Sequence, residues 1–268
     1  GRKINKPSDD PVGVTYALRY RAELAANEQY QSNTDAAVSW LDATDSNMQQ
    51  ALDVVKRLKE LAVQGSNGTL PDNGIEAVNL EVEELKKHLA EIGNSQIRGK
   101  YIFNGQTYDK QPYELSSGVT EYYDVETDNQ AVMYSISEQV SFQINTSGSD
   151  FFGGKGEADN IFKVIDNLST ALASGDQAAA QQELKNIESR SVKMQSSLSE
   201  VGARSNRVQL VQNRLSDESL NFTSLQSKIE DADVASLMIQ ASSAQTIYEA
   251  ALKSSAQIMQ PTLMDFMR

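Results

Sequence analysis

The sequence predicts a mainly α fold with a small β insert (α+β). The expected form is an elongated rod of long antiparallel helices in a coiled-coil-like bundle, carrying an inserted antiparallel β-domain. Three observations lead there. Residues 9 to 64 contain no proline after Pro11 and one glycine, Gly13. From about 100 to 156 glycines, aromatics and β-branched residues take over and the apolar period falls from that of a helix to two. Helical periodicity then returns, and neither flanking half can bury its apolar stripe alone.

The first helix starts at "KPSDDPVGV". Ser8 or Asp9 at the N-cap, an acid in the first turn and Pro11 just inside form a helix-start signal, with the acids facing the positive end of the dipole. Asp9, Asp10 and Pro11 are therefore read as a joint rather than a reactive carboxylate pair. Leu41, Met48, Leu52, Val55, Leu58 and Ala62 continue the stripe until the turn cluster "QGSNGTLPDNG". At 1.5 Å per residue such a helix approaches ~80 Å.

A second helix is expected from about 71 to 98. Its apolar positions Ile75, Val78, Val82, Leu85, Leu89 and Ile92 step by three and four, a heptad stripe suited to antiparallel packing on the first. In the insert, Val132, Tyr134 and Ile136 alternate with polar residues, as do Val140, Phe142 and Ile144, and "YIFNGQ" and "VTEYYDV" read as further strands. Ile161, Ile165, Leu168 and Leu172 restore the helical period up to Gly175. A long segment from about 176 carries Leu184, Ile187, Met194, Leu198, Val201 and Val208, then Val211, Leu215, Phe222, Leu225 and Ile229 after a one-residue shift. Beyond "EDADVAS" a last amphipathic helix presents Val234, Leu237, Met238, Ala241, Ala244, Tyr248, Leu252, Ser255 and Met259 before Pro261 and "TLMDFMR". The expected division is 1–99 for the N-terminal half of the rod, 100–156 for the β-rich insert, 157–232 for the C-terminal half and 233–268 for a terminal assembly helix.

Composition narrows the function. A net charge of −13 and a pI near 4.6 argue against nucleic acid, whose binders cluster basic residues to displace counterions. No apolar run is long enough to insert in a membrane. The chain has no cysteine, which removes disulfides, thiolate metal sites and a thiol nucleophile. His88 is the single histidine and sits beside the second heptad stripe, so neither a histidine metal site nor a Ser–His–Asp triad has its parts. "GSDFFGGKG" has Ser149 where a phosphate loop needs glycine and Gly156 where it needs Ser or Thr, and reads as a flexible exit from the insert. "EDADVA" is too short for a calcium loop and reads as a cap between helices. No catalytic, cofactor or metal site is expected. The terminal helix has Ser, Gln and a lone Lys253 on its polar face, which suits helix–helix association better than a membrane surface.

Three stretches resemble one family. "GRKINKPSDDPVGVTYA", "LKELAVQGSNGT" and "YEAALKSSAQIMQPTLMDFMR" are similar to segments of the bacterial flagellin superfamily: its N-terminal signature, the end of its first helix and its terminal helix. Within it, "GKYIFNGQ" and the ending "QPTLMDF" are most like the hook–filament junction branch rather than filament flagellins. The resemblance implies a structural, non-enzymatic subunit that forms a ring at the hook tip and a platform for filament growth. Its implied partners are its own copies, a neighbouring hook-associated protein, flagellin, and a flagellar export chaperone on the C-terminal helix. It implies an extracellular place in the flagellum, reached by type III export without a cleaved signal peptide. The chain begins Gly-Arg-Lys, and the resemblance implies that the N-terminal partner of the tail precedes Gly1. Assembly would then use Val234, Leu237, Met238, Tyr248, Leu252, Met259, Leu263 and Phe266. Arg57, Glu60 and Leu61 match the segment flagellins present to an innate immune receptor, or equally an assembly surface. A filament flagellin and a secreted coiled-coil effector with a site in the β-domain are the competing readings.

Overall fold

A computed structural model describes residues 3, 6, 8, 10–67, 71–115 and 119–258. The helices α1 (Pro11–Ser66), α2 (Asp72–Gly93), α3 (Gly148–Phe152), α4 (Ile161–Ser174), α5 (Gln177–Glu230) and α6 (Val234–Ile258) dominate it. The strands are short: β1 (Gln96–Ile97), β2 (Lys100–Tyr101), β3 (Met133–Ser137) and β4 (Val140–Gln143). The chain divides into a larger compact unit, Gln29–Ser216, and a smaller one, Gly1–Glu28 with Asp217–Arg268.

In the larger unit the predicted stripes form the core. Leu41, Met48, Val55, Leu58 and Ala62 of α1 are buried with Val78, Val82, Leu89 and Ile92 of α2 and Ile187, Met194, Val201 and Val208 of α5. Polar links at the margins give the directions. Lys59 meets Glu188 at 2.8 Å and Gln212 donates to Asp35 at 2.8 Å, so α1 and α5 run antiparallel. Arg57 forms a bidentate pair with Glu81, and Ser95 donates to Asn47, so α2 is antiparallel to α1 as well.

The insert departs from the sequence expectation. The described residues hold two separate two-stranded antiparallel sheets rather than one β-domain. β1 and β2 are joined by Arg98 and Gly99, both at positive φ, the twist a two-residue hairpin requires. β3 and β4 pair Tyr134 with Phe142 across a bulge between Ser135 and Ser137, with Ile136 and Phe142 buried. "VTEYYDV" is not a strand: Tyr122–Asp124 form a 3₁₀ turn, and the Tyr122 ring rests 5.5 Å from that of Phe162. "YIFNGQ" leaves β2 at Tyr101 and turns so that Phe103 enters an aromatic hub with Tyr113, Phe151, Phe152 and Phe162. "GSDFFGGKG", expected as a flexible exit, begins as α3, capped by Ser147 and buried through Phe151 and Phe152.

Short polar side chains replace the missing ladder. Asn104 bonds the carbonyls of Thr107 and Lys110, while its Oδ1 accepts from Asp128 N. Asn145 accepts from Val132 N and donates to Gln130 O. Asp128 accepts from the amides of Gln106, Thr107 and Gln130, and these bonds, that from Gln130 first, hold its carboxyl below the usual range. Gly105 lies in this knot at φ 49°, where a Cβ would collide with the Asp128 carbonyl. Gly105→Ala is expected to destabilise the larger unit by about 1–3 kcal/mol. Urea unfolding followed by the fluorescence of the single tryptophan, Trp40, measures it; an unchanged midpoint would refute the constraint.

Candidate functional site

The sequence placed the functional surface at the chain's ends. In the smaller unit α1 opens on Pro11, and Asp10 Oδ1 accepts from Gly13 N at 2.9 Å. That carboxylate is therefore committed to the helix start. Asp9 lies outside the described residues. Glu230, at the end of α5, is buried and gathers the smaller unit: it accepts Lys3 N on its carbonyl at 2.7 Å and Arg21 Nη2 on its carboxylate at 2.7 Å. Asp233 caps α6, accepting from the amides of Ala235 and Ser236, as "EDADVA" suggested.

α6 leaves its apolar side chains in water. Val234, Leu237, Met238, Tyr248 and Leu252 are all exposed. So are Ile239 and Ile247, which lie off the predicted stripe and which a search along a single helical face does not find. A helix apolar on more than one side is suited to burial among neighbours. Met259, Leu263 and Phe266 lie outside the described residues.

The receptor-like segment is divided by the core. Arg57 is half exposed and tied to Glu81 and Glu60, whereas Leu61 is fully buried. His88 is exposed, with Nδ1 3.5 Å from Glu91. Among the described residues no group of His, Asp and Glu is placed to hold a metal, and no helix is long and apolar enough to cross a membrane.

One polar site escaped the sequence reading. Arg190 fills the gap between Ile187 and Met194 in the α5 stripe, and its side chain is 1% exposed. It pairs with Glu157 and with Asp159 Oδ1 at 2.6 Å, and donates to the carbonyls of Asp159 and Asp150. Lys193 and Ser189 satisfy the other Asp159 oxygen at 2.8 and 3.0 Å. Burial pushes the Asp159 carboxyl up, but Lys193, Arg190 and Ser189 outweigh it and bring it down to about 2. A second buried cation, Lys86, binds Asp166 and Glu121. Burial works against its charge, and these two acids still hold its pKa above the usual lysine value. Both arrangements tie neighbouring elements together and serve the fold.

Residues 1–107 match the family model of the bacterial flagellin N-terminal helical region, and residues 184–267 that of the C-terminal helical region. The chain belongs to the bacterial flagellin family. Among its relatives, the flagellar filament 30.7 kDa core protein of Treponema maltophilum is 22% identical over 96% of this chain and 84% of its own length. Flagellar hook-associated protein 3 of Escherichia coli is also 22% identical, over 93% of this chain and 86% of its own length. The crystal structure of flagellar hook-associated protein 3 from Legionella pneumophila superposes with a TM-score of 0.69 at 16% identity, covering 79% of this chain and 98% of that one. Flagellin-family chains are structural and non-enzymatic, and this one is a flagellar structural component with the same largely helical fold.

The Asp159 site makes a pH prediction. A carboxyl depressed in the folded state stabilises above its unfolded value, near 3.9, and that contribution is lost as pH falls through about 2. Acid unfolding should therefore reveal about 2 kcal/mol lost between roughly pH 4 and 2. Asp159→Asn should lack that segment of the pH–stability curve while starting from a less stable protein at pH 7. Parallel curves for the two proteins would refute it.

Proposed function

We propose that this flagellin-family chain is the hook–filament junction subunit. It assembles as a ring at the hook tip and offers the surface on which filament flagellin polymerises. The observation that carries the reading is α6: a capped helix with seven large apolar side chains in water suits a subunit whose terminal helix finds partners only in an assembly. The compact insert adds support, since its "GKYIFNGQ" stretch forms the β1–β2 hairpin and delivers Phe103 to the hub, in keeping with the junction-type resemblance.

On this reading residues 1–99 and 157–232 form a rod of coiled-coil-like helices, 100–156 its outward insert and 233–268 the assembly segment. Its partners are its own copies, a neighbouring hook-associated protein and flagellin. An export chaperone covers α6 before assembly and keeps its apolar positions from aggregating. Delivery to the flagellum proceeds through type III export without a cleaved signal. A filament flagellin is the second reading, favoured by the similarity to the Treponema filament core protein over 96% of this chain.

Electron microscopy of a null strain tests the proposal. Hooks without filaments, with flagellin released into the medium, are the expected phenotype. Removing residues 233–268 should reproduce it while leaving the larger unit folded by circular dichroism. Filaments that still grow on hooks of the deletion strain would sink the junction reading. Copy number separates the second reading: thousands of subunits per flagellum mean a filament protein, a single ring's worth a junction protein.

A further inference from the structure

The larger unit carries two solvent-facing helix faces of opposite charge. Residues 201–216 of α5 hold Arg204, Arg207 and Arg214 and no acid, within a chain of net charge −13. Their inward positions, Val201, Val208 and Leu215, are buried, which turns Arg207 and Leu210 outward. Leu210 is 71% exposed. Arg207 sits over the Phe142 ring, 5.3 Å from its centroid, and Arg204 donates to the Asn145 carbonyl at 2.8 Å and pairs with Glu200 at 2.5 Å. Between these arginines and β4 runs an open groove of about 380 Å³.

The outer face of α2 is the complement. Residues 72–93 hold six acids against two lysines, and Lys86 is turned inward onto Asp166 and Glu121. Glu76, Leu80, Glu84 and Glu91 follow one another at helical steps along the exposed side, and Leu80 is 65% exposed. Each face thus sets one bare leucine among charges mainly of one sign, the exceptions being Lys87, bonded to Glu84 at 2.6 Å, and Glu200, bonded to Arg204 at 2.5 Å at the edge of the groove.

We propose that these faces dock on each other between copies of this chain: the acidic α2 face of one molecule lies along the Arg207–Leu210 face of α5 in the next. This inference rests on the self-assembly reading above and names the surfaces it uses. Two copies that each carry −13 repel in general, so their contact needs a place where acids are welcome, and 201–216 provides one. Leu80 covering Leu210 removes both from water, and the surrounding glutamates and arginines set register and exclude the reverse pairing. The patches are different surfaces of one molecule, so the contact is head-to-tail. Such contacts close into rings or extend into helical arrays, according to the rotation they impose.

The absence of native cysteine makes the contact testable by cross-linking in assembled flagella. Full-length Leu80→Cys and Leu210→Cys chains are expressed separately and together in the null strain, and isolated flagella are oxidised. A disulfide-linked dimer is expected only when both variants are present. Arg207→Glu on the Leu210→Cys chain should cut the dimer yield about tenfold. Glu84→Arg on the Leu80→Cys chain should restore it, which a merely misfolded variant would not allow. Dimers from either variant alone, or none in flagella that contain both, overturn this interface and leave the junction reading standing. A wild-type chain that never enters the flagellum overturns both.

Discussion

A guanidinium with no access to water is the constraint around which the insert is arranged. Leaving Arg190 uncompensated inside an apolar stripe would cost several kcal/mol, so its surroundings have to supply acceptors from every side. Glu157, Asp159 and two main-chain carbonyls do so, and they fix the path of the chain leaving the hub. Gly153 follows from it: at φ 108° it lies where any side chain would meet Arg190 and Asn160. Asn160 then bonds the Gly153 carbonyl and caps α4, which brings Phe162 against Tyr113 and Tyr122. One buried charge on α5 thereby orders a turn, a helix start and an aromatic cluster.

The long helices were legible because their information is periodic. Leu41, Met48, Leu58, Val82, Leu89, Ile187, Met194 and Val201 are buried as their spacing requires, and Gly175 ends α4 in the left-handed conformation a helix terminus favours. The insert was only partly legible. Alternation located the β3–β4 hairpin, but "VTEYYDV" and "GSDFF" became turn and helix because their aromatics are taken up by the hub rather than by a sheet. Arg190 was invisible for a different reason. Its acidic partners lie some thirty residues back, and a charged letter in an apolar stripe reads as an interruption when it is in fact a tie. At the candidate site, the α6 helix and the cap at Asp233 could be read directly, whereas Ile239 and Ile247 stood outside a one-face template.

The family matches fall on the two ends, 1–107 and 184–267, and leave the middle unmatched. Arg190 belongs to a matched segment, while Glu157 and Asp159 do not. One tie between the matched and unmatched stretches is therefore ionic, made of a cation from the matched segment and anions from the unmatched middle. The apolar hub straddles the same boundary, since Phe103 falls inside a matched segment and Phe151, Phe152 and Phe162 outside it. Lys86 and Asp166 repeat the pattern between α2 and α4.

The antiparallel contact of α1 with α5 has a kinetic meaning. Asp35 and Gln212, or Lys59 and Glu188, are brought together only after the whole intervening chain has become available. Closing so long a loop is entropically slow, and an isolated N-terminal half retains an apolar stripe with no α5 to cover it. The order in which the chain appears, from a ribosome or from any narrow conduit, then acts as a timer. Until α5 arrives the molecule stays pliable, and its last third decides when it becomes rigid.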